Sequence, residues 1–226
     1  MKQVYTSIIF LVFNLLIINK SFSSDWSIVL TFSSEHATSS LGRFMASKIY
    51  KEYTAGDLAL IKKKIEAGAD VNQLFQIAPY KAYTPLAMAV RSNSPEVAKE
   101  LIIAGADVNN DTNSGMGHKG SRAIDFCDDL FWENTLPIFE ILLQEGTDIN
   151  QQDQYGNTVL HRIILHGSTE TMALKLKIAL LMQYGANSNV KNFKGQTAFE
   201  LLKEEKQHLD AEAIAQYKDL LYKSIL

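Results

Sequence analysis

The sequence predicts an all-α fold, a solenoid of about five helical repeats with hairpin turns at its tips. A seven-residue motif recurs four times along the chain, and a second, threonine-centred motif recurs between its copies. Hydrophobic residues make up 46% of the 226 residues and charged residues 21%, proportions typical of a folded soluble protein. A single helix pair cannot bury its apolar face alone, so consecutive pairs are expected to stack into one core.

The first 23 residues predict a secretory signal peptide. Lys2 precedes an apolar run at 8–18 that only Asn14 interrupts, and small residues follow it. We expect cleavage after Ser23, with Ser24 as the second choice.

An uncleaved membrane anchor and a buried helix are the alternatives for this segment. An apolar run of about 12 residues spans about 20 Å as a helix, which is less than the roughly 30 Å hydrocarbon core of a bilayer. Cleavage would remove Lys2 and Lys20 and leave 20 basic and 25 acidic residues, a net charge of −5. Residues 24–52 are expected to form an N-terminal lead-in and a first capping helix, with the helix at about 40–51 and a loose lead-in at 25–39.

The seven-residue motif places a glycine at the end of a second helix in each repeat. A helix that ends in the left-handed conformation favours glycine at that position. The motif reads EAGADVN at 66–72, IAGADVN at 103–109, QEGTDIN at 144–150 and QYGANSN at 183–189. Its glycines, 37, 41 and 39 residues apart, are Gly68, Gly105, Gly146 and Gly185.

The threonine-centred motif predicts the start of a first helix. It reads YTPLA at 83–87, GNTVLH at 156–161 and GQTAFE at 195–200, with a weaker copy, GSRAID, at 120–125. Thr84 and Thr158 can cap a helix N-terminus, and Pro85 suits the first turn, where its missing N–H costs nothing. Ser94 and Pro95 repeat this logic for the next helix.

These motifs resemble those of the ankyrin repeat family. The shared pieces are the Thr-Pro-Leu start of one helix, the Ala-Gly-Ala-Asp-Val-Asn end of the next, and the DQYG turn at 153–156. The resemblance implies an ankyrin-type solenoid whose first and last units are degenerate caps, with His161 hydrogen-bonded between repeats. The implied units are 53–82, 83–119, 120–154, 155–193 and 194–226. The period exceeds the usual ~33 residues, and the extra residues fall in loops at 110–120, 128–134 and 166–172.

Little in the sequence indicates catalysis or metal binding. Five histidines and one cysteine show no metal-ligand spacing, and a single cysteine excludes an intrachain disulfide. We therefore predict no metal, no cofactor and no enzyme activity. Cys127 is expected in a first helix as a small core residue, with a reactive thiol as the alternative. The net charge of −3 gives no reason to expect nucleic acid as a partner.

The resemblance also implies that a partner protein binds at the turn tips and the inner face of the first helices. Interfaces favour aromatic residues, although the aromatic residues here can instead pack across adjacent turns. The candidate partner-binding residues are Tyr80, Lys81, Tyr83, Met116, His118, Gln154, Tyr155, Phe193 and Lys194. Phe131 and Trp132 form a second candidate contact, with packing beneath their loop as the alternative.

The predicted function is that of an exported, non-catalytic module that binds another protein, in the periplasm or after secretion. One alternative is a membrane-tethered scaffold, in which the N-terminal segment stays uncleaved. Another is a secreted effector that binds a host protein. Fold alone does not identify the partner.

Overall fold

The computed structural model describes residues 26–49, 51–78, 81–112, 121–127, 135–166, 172–205 and 209–222. Within these ranges the chain forms α-helices in antiparallel succession and one short hairpin, which confirms the predicted all-α solenoid. The helices are α1 (Trp26–Ala46), α2 (Ala55–Glu66), α3 (Pro85–Arg91), α4 (Pro95–Ile103), a 3₁₀ helix (Ala123–Phe126), α5 (Leu136–Gln144), α6 (Val159–His166), α7 (Met172–Gln183), α8 (Ala198–Glu205) and α9 (Ala211–Tyr222). The strands β1 (Phe75–Ala78) and β2 (Lys81–Tyr83) pair antiparallel. The predicted signal peptide, with its cleavage position at Ser23, lies outside the described residues.

One apolar core runs through the stack, and the second helix of each pair contributes to it at equivalent positions. Leu101 of α4, Leu142 of α5 and Leu181 of α7 are all fully buried. Each lies two residues before the end of its helix, so the three side chains line the core at successive levels. Neighbouring pairs thus complete the burial that one pair cannot achieve alone.

The local signals at the helix ends are mostly confirmed. Gly68, Gly105, Gly146 and Gly185 have φ values of 85°, 92°, 82° and 88°, the left-handed conformation expected after a second helix. The Thr84 hydroxyl accepts a 3.2 Å hydrogen bond from the amide of Ala87 and caps α3. The Ser94 prediction was wrong in its chemistry, because its hydroxyl donates to the carbonyl of Ser92 and makes no cap bond.

The first helix of the stack is longer than the sequence indicated. α1 runs for 21 residues from Trp26 to Ala46, so the segment expected to be a loose lead-in is already helical. Its buried face includes Leu41 and Met45 and packs on α2 and α3. Gly42 lies so close to β1 that a Cβ there would come within 1.9 Å of the Phe75 ring. The missing side chain allows the hairpin to pack on this helix.

The third repeat departs most from the predicted pattern. In place of a full first helix it has a single 3₁₀ turn, and Cys127 follows that turn instead of lying inside a helix. The carbonyl oxygen of Cys127 accepts hydrogen bonds from Lys177 Nζ (2.7 Å) and Thr135 Oγ1 (3.3 Å). These side chains satisfy a carbonyl that would otherwise need a helical N–H partner. The Cys127 side chain is buried, in agreement with a core role.

A ladder of asparagine side chains joins consecutive repeats at the glycine turns that follow the second helices. The amide group of Asn150 accepts from the backbone N–H of Asn187 (2.8 Å) and donates to the carbonyl of Gly185 (3.1 Å). Asn72 and Asn109 make the same pair of bonds to the repeats that follow them. Each asparagine therefore holds the glycine turn of the next unit in register.

Candidate partner-binding surface

The turn before α6 is built around one carboxylate. Asp153 Oδ1 accepts hydrogen bonds from the backbone N–H groups of Tyr155 (2.8 Å) and Asn157 (2.9 Å), and the Gly156 N–H reaches the Asp153 carbonyl. Gly156 takes a φ of 76°, which glycine adopts without strain. This tight turn leaves Tyr155 at its apex, with 48% of its surface exposed.

The turn before α8 repeats this construction with an amide in place of the carboxylate. Asn192 Oδ1 accepts from the N–H groups of Lys194 and Gln196, each at 3.0 Å, and Gly195 has a φ of 78°. Phe193 occupies the apex, where 74% of its surface is exposed. Two adjacent repeats thus present an aromatic residue from the same kind of turn.

Direct hydrogen bonds join the two turns. The Phe193 N–H donates to the Tyr155 carbonyl over 2.9 Å. The amide of Gln152 donates to the carbonyls of Gly156 (2.6 Å) and Lys191 (2.9 Å), and Asn192 Nδ2 donates to Asn157 Oδ1 at 3.2 Å. Because backbone and side chain both take part, the turns form one continuous surface. We refer to residues 152–156 and 191–196 as the turn surface.

The Phe193 ring rests with one edge on the neighbouring turn. A Cβ built on Gly156 would lie 2.6 Å from the ring and equally close to the Phe193 backbone nitrogen. The ring therefore packs across the two turns, which is one of the two alternatives predicted for these aromatic residues. Most of its surface nevertheless remains in solvent, so the other alternative, a role in contact with a partner, stays a prediction.

A chain of buried charges supports the turn surface from below. Asp153 Oδ2 lies 3.3 Å from Arg162 Nη1, Arg162 Nε lies 3.6 Å from Asp125, and Asp125 lies 3.6 Å from Arg122 Nε. All four side chains are at most 8% exposed. Asp125 also accepts the Arg122 backbone N–H at 2.8 Å. Charges this deeply buried persist because they are paired, and they link the third repeat to the turn that carries Tyr155.

His161 bridges the fourth and fifth repeats. Its Nδ1 lies 2.9 Å from the Thr158 hydroxyl, and its Nε2 lies 3.1 Å from the carbonyl oxygen of Gln196 on the turn surface. The ring is 1% exposed, and burial lowers the pKa of His161, partly offset by the Gln196 carbonyl and by Asp153. The bridging role expected for this histidine is confirmed.

Comparison with known proteins shows which proteins this chain is similar to. A sequence model of the ankyrin repeat matches residues 82–113. The chain is 31% identical to ankyrin repeat and SOCS box protein 6 of Homo sapiens over 123 residues, which are 54% of the chain. The chain is 26% identical to a putative ankyrin repeat protein of Rickettsia bellii over 71% of the chain. It is 27% identical to a putative ankyrin repeat protein of Acanthamoeba polyphaga mimivirus over 61% of the chain. The chain contains an ankyrin repeat at 82–113 and is similar to ankyrin repeat proteins over more than half of its length. It spans only 27%, 25% and 31% of the lengths of these three relatives.

Ankyrin repeats in general mediate protein–protein interaction and are not catalytic. Among the residues that the structure describes, no three histidine, cysteine, aspartate or glutamate side chains are grouped as metal ligands would be. Over the same ranges, no helix has both the length and the apolar composition needed to cross a bilayer.

The prediction that Tyr83 contacts a partner was wrong. Tyr83 is 3% exposed and belongs to the core. Its ring meets Phe126 edge-on at 5.4 Å between centroids, and the Arg91 guanidinium lies 5.1 Å from its centroid. Burial raises the pKa of its hydroxyl. The Tyr83 side chain therefore packs against α3 and the 3₁₀ helix and is not presented to solvent.

Of the other predicted partner-binding residues, some lie in the turn surface and the rest lie outside the residues that the structure describes. Gln154 is half-buried, whereas Lys194 is exposed beside Phe193. The backbone of Lys81 lies in β2, and its side chain is outside the described part. Tyr80, Met116, His118, Phe131 and Trp132 also lie outside it.

Sequence reasoning missed Arg122, Asp125 and Arg162, the buried charges beneath the turn surface. A signal was present for Arg122, which stands in the copy of the threonine-centred motif at 120–125 where the other copies have threonine. Only the fold shows that they meet, because Arg122 and Arg162 are separated by 40 residues.

Proposed function

We propose that the chain is a non-catalytic module that acts outside the cytoplasm and holds a partner protein on the turn surface. The observation that carries this proposal is the exposure of Phe193, 74%, on a turn that is bonded to its neighbour. A large apolar side chain gains little stability where water covers it. On a pre-organised surface it can provide affinity with little loss of conformational entropy on binding.

Tyr155 is a second exposed aromatic residue on the turn surface. Its ring is half exposed, and its backbone carbonyl accepts the Phe193 N–H, so the backbones of the two aromatic apices are joined directly. Aromatic residues on such a surface are the usual anchors of protein interfaces. The N-terminal pattern at 1–23 supports export, and the absence of a predicted nucleophile or metal site supports a binding role.

The test compares the natively exported, tagged chain with a Tyr155→Ala/Phe193→Ala variant. Proteins that co-purify with each are identified by mass spectrometry, and the free energy of unfolding is measured in urea. We expect a stoichiometric partner with the wild-type chain, at least tenfold less of it with the variant, and nearly unchanged stability. Ile103→Ala is the matched control, because Ile103 is 80% exposed at the end of α4, outside the turn surface, and its loss should leave the partner bound.

Two results would contradict the proposal. Equal recovery of the partner with the double variant would place binding elsewhere, and a large loss of stability would make these rings packing residues. The mass of the mature chain tests export separately. A start at Ser24 indicates a cleaved signal peptide, whereas an intact N-terminus indicates the membrane-tethered alternative.

A further inference from the structure

The exposed side of the turn surface carries positive charge. Lys191 and Lys194 are both exposed, and the one carboxylate within 152–156 and 191–196, Asp153, is buried and paired with Arg162. Neither lysine forms a salt bridge to another described residue. Lys191 also acts on the carboxylate of Glu200, whose pKa is lowered first by the hydrogen bonds from Thr197 and further by the charge of Lys191. Both ammonium groups nevertheless face solvent near the Phe193 ring.

Two carboxylates of α8 border this surface. Glu200 of α8 accepts the Thr197 N–H at 2.7 Å, and Glu204 accepts a hydrogen bond from the amide of Gln196. Both residues are exposed and point their charge toward the start of α8. A bound acidic group would be repelled there and attracted at the turn side, so the local charge pattern has a direction.

The net charge of the whole chain is −3, and this charge also affects where an acidic ligand would bind. The overall charge of the chain gives an acidic ligand no attraction, so its binding depends on a local cationic patch such as Lys191 and Lys194 beside the aromatic rings. Specific binding commonly combines such local attraction with repulsion elsewhere.

We propose that the partner presents an acidic segment with an aromatic or branched aliphatic side chain to the turn surface. The apolar side chain packs on Phe193 and Tyr155, and the carboxylates of the partner pair with Lys191 and Lys194. This inference rests on the proposed function, because it assigns the chemistry of the partner to the same surface.

The experiment selects 12-residue peptides from a phage-displayed random library on the immobilised full-length chain. Enriched peptides are then synthesised and titrated against four proteins by fluorescence anisotropy. The proteins are the wild type, Lys191→Gln/Lys194→Gln, Tyr155→Ala/Phe193→Ala, and Lys99→Gln/Lys218→Gln. The last variant removes two exposed lysines from α4 and α9 and controls for the change in net charge.

We expect the enriched peptides to be acidic and to contain an aromatic or branched aliphatic residue. Each exposed ion pair contributes modestly, so loss of both turn lysines should weaken binding about five- to tenfold, whereas the control variant should change it less than about twofold. Binding should also weaken as salt rises, and replacement of the acidic residues in the peptide by their amides should have an effect like that of the lysine variant.

The contrary outcomes are distinct. Neutral or basic peptides that need Tyr155 and Phe193 but not the lysines would overturn this inference and leave the proposed function standing. Peptides that ignore the Tyr155→Ala/Phe193→Ala variant would overturn the proposed function and this inference with it. The absence of any enrichment over a blank surface would count against both.

Discussion

The backbone N–H of Phe193 donates to the carbonyl oxygen of Tyr155 over 2.9 Å, and this bond joins the turns of two consecutive repeats. It holds the two exposed aromatic residues side by side although they are 38 positions apart. The same approach brings the Phe193 ring against Gly156, where a side chain would not fit.

Gly156→Ala is therefore expected to be more damaging than the same change at another left-handed glycine. Gly105 has a φ of 92° and nothing within 4 Å of its Cβ position, so Gly105→Ala should cost only the conformational penalty of about 1–2 kcal/mol. At Gly156 the new methyl group also meets the backbone nitrogen of Phe193 at 2.6 Å. Urea unfolding should show a clearly larger loss for Gly156→Ala, and equal losses would contradict the close contact of the turns.

Asn150→Ala should loosen the junction between the third and fourth repeats. The side chain makes two hydrogen bonds to the next unit, at 2.8 and 3.1 Å, and their loss should lower the free energy of unfolding by about 1–2 kcal/mol. Asn189 occupies the equivalent position in the last copy of the motif, where its side chain makes no hydrogen bond among the described residues. Asn189→Ala should stay within about 0.5 kcal/mol of the wild type, and a similar loss for both would argue against the ladder.

Stability should fall on mild acidification because of His161. Burial lowers the pKa of this histidine in the folded state, so the unfolded chain binds more protons below its ordinary pKa of about 6.5. The stabilising contribution is complete above that pH and is lost as the pH falls toward the folded-state pKa. Unfolding free energies of the wild type at pH 7.5 and pH 5 should differ more than those of His161→Asn. Identical pH dependence in the two proteins would exclude this residue as the cause.

Asp125→Asn should be among the most destabilising polar substitutions. Asp125 lies between Arg122 and Arg162, each 3.6 Å away, and all three side chains are nearly inaccessible to solvent. Its neutralisation removes the carboxylate partner of the buried Arg122 and leaves Arg162 with Asp153 alone, at a cost of about 3–5 kcal/mol.

The half-exposed pair of Lys62 and Glu100, 2.8 Å apart, supplies the control for this substitution. Glu100→Gln should cost less than about 1 kcal/mol, because solvent screens an exposed pair. The two variants are compared by thermal and urea unfolding, and a comparable small loss in both would show that the buried chain of charges contributes little.

Much of the fold could be predicted because its signals are local. A glycine after a helix and a threonine before one act within a few residues, and Gly68, Gly105 and Thr84 behave as their sequence contexts indicated. Ser94 shows the limit of such reasoning, since its hydroxyl had a competing acceptor in Ser92. The helical start at Trp26 was missed because no cap or periodic polar pattern marks that end.

The sequence by itself determined the repeat, its resemblance to ankyrin repeats and the aromatic residues at the turn apices, because each follows from neighbours along the chain. Only the tertiary structure decided which candidates are exposed. Tyr83 and Tyr155 both stand near the start of a first helix, yet one is buried against Phe126 and the other reaches solvent. It also decided that Arg122, Asp125, Arg162 and Asp153 form one buried chain of charges beneath the turn surface. Burial and charge pairing depend on which residues meet across repeats, and in a stack those partners lie a whole unit apart.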